Sequence, residues 1–352
     1  PVPVLAGVLL QADEQGTLTL SAFDYEISAT VTVEAEVSEG GEVLVLGRLL
    51  ADISRNLPNK PVEVATDGTK VQLVCGSSRF SLIQMPVGDY PSLPTSSESS
   101  GSVPGDVFTN AVSQVSIAAD RGDTLPILTG VRVEIEGEKM TLLATDRYRL
   151  AMRELTWTPQ DPGVSHVALI PARTLSETAK ALGAAGSIEV ALGDAARGEG
   201  LIGFEAGSRR ATTRLLDGEY PKVTSIFPSS VDTVAVVDTH TILEAVRRVA
   251  LVAERNTPVR LRFSQGQVAI EAGTGDDAQG SEAIEASLTG PELEIAFNPQ
   301  FLLDGLSALG TAFARISFTQ PSKPAVLSGQ AEMDGDSDES YRYVLMPVRF
   351  AG

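Results

Sequence analysis

Cysteine occurs once, at Cys75, so an intrachain disulfide is excluded and the composition fits a reducing, cytoplasmic compartment. Histidine occurs twice, at His166 and His240, which leaves no His/Cys cluster with metal-ligand spacing. No apolar run approaches the roughly 18–20 residues of a membrane span, and no signal-peptide pattern is present. A G-x-x-x-x-G-K-[ST] phosphate loop is missing, as is a G-x-S-x-G nucleophile elbow. Asp334-Gly335-Asp336-Ser337-Asp338 imitates the start of a calcium loop. It carries Glu339 where the loop needs glycine and Leu345 at the twelfth position, so it reads as a solvated acidic turn. Neither cofactor nor metal is expected, and enzymatic chemistry is the least supported class.

The chain of 352 residues is long enough for two or three domains with real cores. Its hydrophobic fraction, 43%, is that of a globular protein. The net charge of −19 argues at first against a nucleic-acid partner, but the charge is unevenly placed. Five stretches that read as helices, 47–60, 104–122, 171–183, 238–256 and 298–310, hold nine basic and eight acidic residues, a net of +1 that leaves −20 elsewhere. If those helices share a face, that face can approach phosphate while the rest repels it. The basic candidates are Arg48, Arg55, Arg121, Arg173, Lys180, Arg247, Arg248 and Arg255.

A unit recurs three times. Its clearest copy is 124–150, where Val131, Val133 and Ile135 alternate with polar residues, Gly137-Glu138-Lys139 turns, and Met140, Leu142 and Ala144 resume the alternation. Fainter copies begin at Pro3 and Pro258, 123 residues before and 132 residues after Pro126, one domain length apart. Each full unit reads as two helices and about eight short strands, an α+β architecture of three domains at 1–95, 96–228 and 229–352. Helix stripes are expected from Leu49, Leu50, Ile53 and Leu57; from Phe108, Ala111, Val112 and Val115; from Leu175, Ala179 and Leu182 behind Pro171 in a first turn; from Ile242, Leu243, Val246, Val249 and Ala250 behind a cap at Asp238 or Thr239; and from Leu302, Leu306 and Leu309. Gly88-Asp89-Tyr90-Pro91 and Gly218-Glu219-Tyr220-Pro221 close the first two units alike. Repeat one lacks its first helix, which the roughly two dozen residues expected before Pro1 would supply.

The threefold repeat, Leu143–Leu150 (LATDRYRL), the two closings and the final Tyr343–Phe350 (YVLMPVRF) resemble the bacterial DNA polymerase III β subunits, the sliding clamps, over essentially the whole chain. The resemblance implies a head-to-tail homodimer, a six-domain ring with helices lining a hole that passes double-stranded DNA without reading its sequence. It implies no catalysis, only tethering of the DNA polymerase III α subunit, the clamp loader and other proteins that carry a short motif of Gln and Leu/Phe anchors. The pocket for that motif would have walls of Leu128, Thr145, Arg147, Tyr148, Arg149, Leu150, Pro221, Ile226, Val344, Leu345, Met346, Pro347, Val348 and Arg349, with Arg149 and Arg349 bonding peptide carbonyls or carboxylates. The dimer seam would set Arg79, Phe80 and Leu82 against Leu251, Val252, Glu282 and Glu285. Two departures stand out: many members have Gly-His in place of Arg147-Tyr148, and Ser225 replaces a frequent basic residue. The rival reading is an acidic, β-rich interaction scaffold that never touches DNA.

Overall fold

The computed structural model describes residues 3–94, 98–122, 124–193, 200–228, 230–253, 257–273 and 278–349. Five α-helices lie among them: α1 (Gly47–Asn56), α2 (Gly105–Ser116), α3 (Ala172–Leu182), α4 (Thr239–Val249) and α5 (Pro299–Leu309). Phe108, Ala111, Val112 and Val115 of α2, Leu175, Ala179 and Leu182 of α3, and Leu302, Leu306 and Leu309 of α5 are buried as their spacing predicts. Each buried leucine, valine or phenylalanine among them stabilises its helix by about 1.5–3 kcal/mol relative to exposure. Asp238 is the cap of α4, accepting the Thr241 N–H at 2.7 Å. Two expectations fail. Leu49 is exposed, because α1 buries only Leu50 fully and the stripe is narrower than four residues. Pro171 ends the preceding strand instead of entering α3.

The chain packs as two compact units, and these do not follow the three repeats. One comprises Pro1–Asp106, Thr158–Asp161 and Glu177–Leu215. Its antiparallel sheet of nine strands runs Thr158–Pro159, Gly101–Pro104, Ser187–Leu192, Leu201–Ala206, Arg209–Arg214, Ile27–Glu34, Thr17–Phe23, Gly7–Asp13, Gly41–Leu46, and a second sheet runs Glu63–Asp67, Lys70–Cys75, Ser78–Ile83. The other comprises Val107–Trp157, Pro162–Ser176 and Leu216–Gly352. Its nine-stranded sheet runs Ser165–Pro171, Gly130–Glu136, Lys139–Thr145, Arg149–Thr156, Ser337–Leu345, Ala325–Gln330, Phe313–Phe318, Thr233–Asp238, Ser287–Thr289, and a four-stranded sheet runs Gly280–Glu285, Gln267–Ala272, Val259–Ser264, Leu293–Phe297.

Both large sheets are made by joining two repeats edge to edge. In the first, Ile27–Glu34 pairs antiparallel with Arg209–Arg214, Ala29 opposite Ala211. In the second, Arg149–Thr156 pairs antiparallel with Ser337–Leu345, Ala151 opposite Tyr343. Each time the strand that follows one repeat's proline-led hairpin, 7–23 or 130–145, takes the last strand of the next. Backbone donors and acceptors that would face water on an isolated module are satisfied across the junction.

Candidate partner-binding pocket, strand edges and basic residues

The Thr145–Arg149 turn is built by side chains bonding their own backbone. Asp146 Oδ1 accepts the N–H groups of Tyr148 and Arg149, both at 3.0 Å. Thr145 Oγ1 donates to the Arg149 carbonyl at 2.6 Å and accepts the Arg147 N–H at 3.1 Å. Arg147 is thereby held at φ +78°, a left-handed conformation that a short Asp-led turn demands. Repeat one contains the same turn. Asp24 Oδ1 accepts the N–H groups of Glu26 at 3.0 Å and Ile27 at 2.8 Å, and Tyr25 has φ +74°. The closing tyrosines correspond too. Tyr90 Oη accepts the Phe23 N–H at 2.7 Å. Tyr220 is buried in the matching place, and that burial pushes its phenol up to about 12, against the opposing pull of the Thr145 backbone.

In the second repeat the turn overlies an apolar floor. Leu128, Leu143, Leu150, Met152, Leu169, Tyr220, Val223, Val326 and Val344 form one buried cluster, with Ile127, Leu216, Ile226 and Phe227 packed against it. The tail is tied alongside: the Met346 N–H donates to the Tyr148 carbonyl at 2.9 Å and the Val348 N–H to the Ala296 carbonyl at 2.8 Å. Met346, Pro347 and Val348 are half-buried, while Arg349, Arg147, Pro221 and Tyr148 are exposed. Of the expected walls, Leu128, Leu150, Ile226 and Val344 belong to or pack on the floor, and Thr145 is buried at the root of the turn. Leu345 does not join them. Strand alternation turns it away from Val344, and it is fully buried outside the cluster.

Arg149 is also corrected. Its side chain is only 6% exposed. Nε donates to Asp146 Oδ2 at 2.9 Å, Nη1 donates to Asp304 Oδ2 at 2.6 Å and lies 3.4 Å from the Tyr343 hydroxyl, and the guanidinium sits 4.2 Å over the Phe301 ring. Burial opposes its charge, but Tyr343, Asp304 and Asp146 outweigh that and hold it protonated. An arginine so engaged braces the turn rather than meeting a peptide. Tyr148, 58% exposed, lies over the same Phe301 ring at 6.4 Å between centroids. Sequence reasoning missed Phe301 and Asp304 of α5, which lie outside the Leu302, Leu306 and Leu309 stripe. It missed Tyr220 and Phe227 as floor residues, although Tyr220 stood inside the closing motif.

The basic candidates Arg48, Arg55, Arg121, Arg173, Lys180, Arg247 and Arg248 are all exposed, and Arg255 lies outside the described residues. Arg55 pairs with Asp52 at 3.2 Å, Arg247 with Glu244 at 2.6 Å and Arg248 with Glu282 at 2.6 Å. Such exposed pairs add little stability, but they lower the field these arginines present. Among the seam candidates, Arg79 and Phe80 are exposed on Ser78–Ile83, an edge strand. Leu82 is instead buried with Val71 and Leu73, because the inner face of that strand closes a core. Glu282 and Glu285 lie on the edge strand Gly280–Glu285, with Leu251, 83% exposed, and half-buried Val252 on the turn after α4.

Among the described residues no group of three His, Cys, Asp or Glu could hold a metal ion, and no helix is long and apolar enough to cross a membrane. A triplicated module of helices on antiparallel sheets defines a clamp-type protein. Family models for the DNA polymerase III beta subunit match throughout: the N-terminal domain at 1–94, the central domain at 102–222 and the C-terminal domain at 224–349. The beta sliding clamp of Streptomyces coelicolor is 58% identical over 352 residues, spanning 100% of this chain and 93% of that protein. The beta sliding clamp of Micrococcus luteus is 56% identical over 288 residues, spanning 82% and 92%. A crystal structure of the Pseudomonas aeruginosa DNA polymerase III subunit beta bound to griselimycin superposes with TM-score 0.88 at 28% identity, covering 99% of this chain and 92% of that one. The Bacillus subtilis sliding clamp superposes with TM-score 0.88 at 28% identity, covering 99% and 93%. The chain belongs to the DNA polymerase III beta subunit family, the bacterial beta sliding clamps, which are non-catalytic processivity factors.

Proposed function

We infer that this chain works as a homodimeric ring that encircles duplex DNA in the cytoplasm and tethers the replicative polymerase to it. One observation carries the reading. Both internal junctions pair the strand after one repeat's proline-led hairpin with the last strand of the next. Gly280–Glu285 is the strand that follows the proline-led hairpin of repeat three and Ser78–Ile83 the last strand of repeat one, and each ends its sheet. Applying the same pairing between two copies uses up both edges, twice, and a heterologous contact that repeats twice closes a ring. Arg79, Phe80, Leu251, Val252, Glu282 and Glu285 are assigned to that seam. Arg48, Arg55, Arg121, Arg173, Lys180, Arg247 and Arg248 are assigned to weak, sequence-independent phosphate contacts, suited to a duplex that must slide.

The floor under the Thr145–Arg149 turn is assigned to partner peptides from the polymerase α subunit, the clamp loader and other motif-bearing proteins. Val344, Leu150, Leu128 and Met346 offer an adaptable apolar bed, and a few buried anchors would supply most of the affinity. The deciding experiment loads the protein on nicked circular DNA and then linearises the circle. Retention on the circle and loss from the cut molecule is the expected result. Equal loss from both would favour the acidic scaffold that does not encircle DNA.

A further inference from the structure

We propose that Asp304 and Arg149 are positioning residues for partner binding, through which α5 of the third repeat aims the pocket turn of the second. The inference rests on the pocket assignment above. Repeat one supplies an internal control. Its Phe23–Ile27 turn has the same carboxylate-to-backbone bonds and a left-handed residue, Tyr25, at the corresponding place, yet Ile27 stands where Arg149 stands in repeat two. The turn therefore forms without a buried arginine, and local backbone geometry does not require the ion pair.

What the pair adds is a connection to α5. Asp304 takes Arg149 Nη1 at 2.6 Å on Oδ2 and the Gln300 amide at 2.7 Å on Oδ1. The guanidinium lies over the Phe301 ring at 4.2 Å, and Tyr148 stacks on that same ring. Tyr343 donates its hydroxyl to the Phe301 carbonyl at 2.9 Å. The close fit depends on Gly305, where a Cβ would stand 2.5 Å from the Tyr343 ring. The Tyr148 carbonyl in turn holds the Met346 N–H. A continuous set of contacts thus runs from α5 through Arg149 and the turn to Tyr148 and Met346, two walls of the pocket. Side chains held by a second layer of this kind keep a binding geometry that they would otherwise sample only part of the time.

The test uses the full chain and a labelled peptide with Gln and Leu/Phe anchors, read by fluorescence polarisation beside thermal unfolding. Asp304→Asn should weaken the peptide about tenfold, and Asp304→Glu should recover part of the loss. Leaving Arg149 buried with one acid fewer also costs stability. A second variant, Arg149→Met with Asp304→Leu, separates the two effects. It replaces the buried charges with apolar groups, as Ile27 does for the arginine in repeat one, and should restore much of the Tm lost in Asp304→Asn while peptide affinity stays low. Recovery of affinity together with Tm would overturn the positioning role, leaving the pair merely structural. Unchanged affinity in Asp304→Asn, with weakened binding in Met346→Ala plus Pro347→Ala, also overturns it and leaves the pocket standing. Unchanged affinity in both overturns the pocket and the positioning role together.

Discussion

Arg147 holds φ +78° and Tyr25 holds φ +74° in corresponding turns, where a Cβ crowds the next carbonyl at a cost of about 1–2 kcal/mol. Glycine avoids that contact but loses about 0.5–1 kcal/mol of extra chain entropy on folding. Arg147→Gly should therefore raise stability by about 0.5–1 kcal/mol, seen as a higher urea midpoint, and Tyr25→Gly should do the same. A lower midpoint in both would show that the side chains, not the backbone, dominate there. A second residue carries a pH dependence. The Thr241 hydroxyl at 2.6 Å and N–H at 2.7 Å hold the Asp238 carboxyl below its ordinary value of 3.8. A depressed folded pKa means the stabilisation is complete above the unfolded value and is lost as pH falls through the folded one. Asp238→Asn keeps a good cap but removes the titration. Acid unfolding below about pH 4 should be shallower in the variant, with near-neutral stability little changed. The two turns were only half legible beforehand: Thr145-Asp146-Arg147-Tyr148 marked itself as unusual, whereas the burial of Arg149 depends on Asp304, 155 residues away.

Edge strands are where the elements decide assembly. Ser78–Ile83 leaves Phe80 38% exposed, and Leu251 stands beside Gly280–Glu285 with almost its whole side chain in water. Leu251→Asp should leave the folded chain as stable as before, since little is buried to lose, yet shift the solution mass from dimer to monomer. A dimer of unaltered affinity would remove Leu251 from the seam. Met346→Ala plus Pro347→Ala should do the reverse, weakening an anchor peptide while the dimer persists, which polarisation and light scattering on one sample can decide. Helices were the most legible elements, because their stripes recur every three or four residues and their ends carry Asp238 and Asn298 as caps. Strand faces were less so. Leu82 and Leu345 were expected at surfaces and are buried, since period-2 alternation names two faces without saying which one another element will cover.

Across the whole molecule the uneven charge remains the quantity to test. Helical stretches with a net of +1 in a chain of −19, with Arg55, Arg247 and Arg248 paired to acids, should bind duplex weakly. Affinity for short linear DNA should fall with salt along a shallow slope. Lys180→Ala should lower that slope by about 1, while retention on a closed circle is unaffected, because enclosure does not depend on ion release. A slope as steep as that of a tight DNA binder, or loss of retention on circles in the variant, would mean the hold is electrostatic.

The amino-acid order alone determined the repeat, the helix stripes and the places of the Thr145–Arg149 turn and the tail. All of these are written in short-range periodicity or in contiguous motifs. Tertiary structure decided which strands of neighbouring repeats merge into the two large sheets, which edges are left over, and that Arg149 is an internal brace and not a surface donor. Those outcomes depend on partners more than a hundred residues distant, and no local pattern specifies which distant strand or acid will come to lie against a given residue.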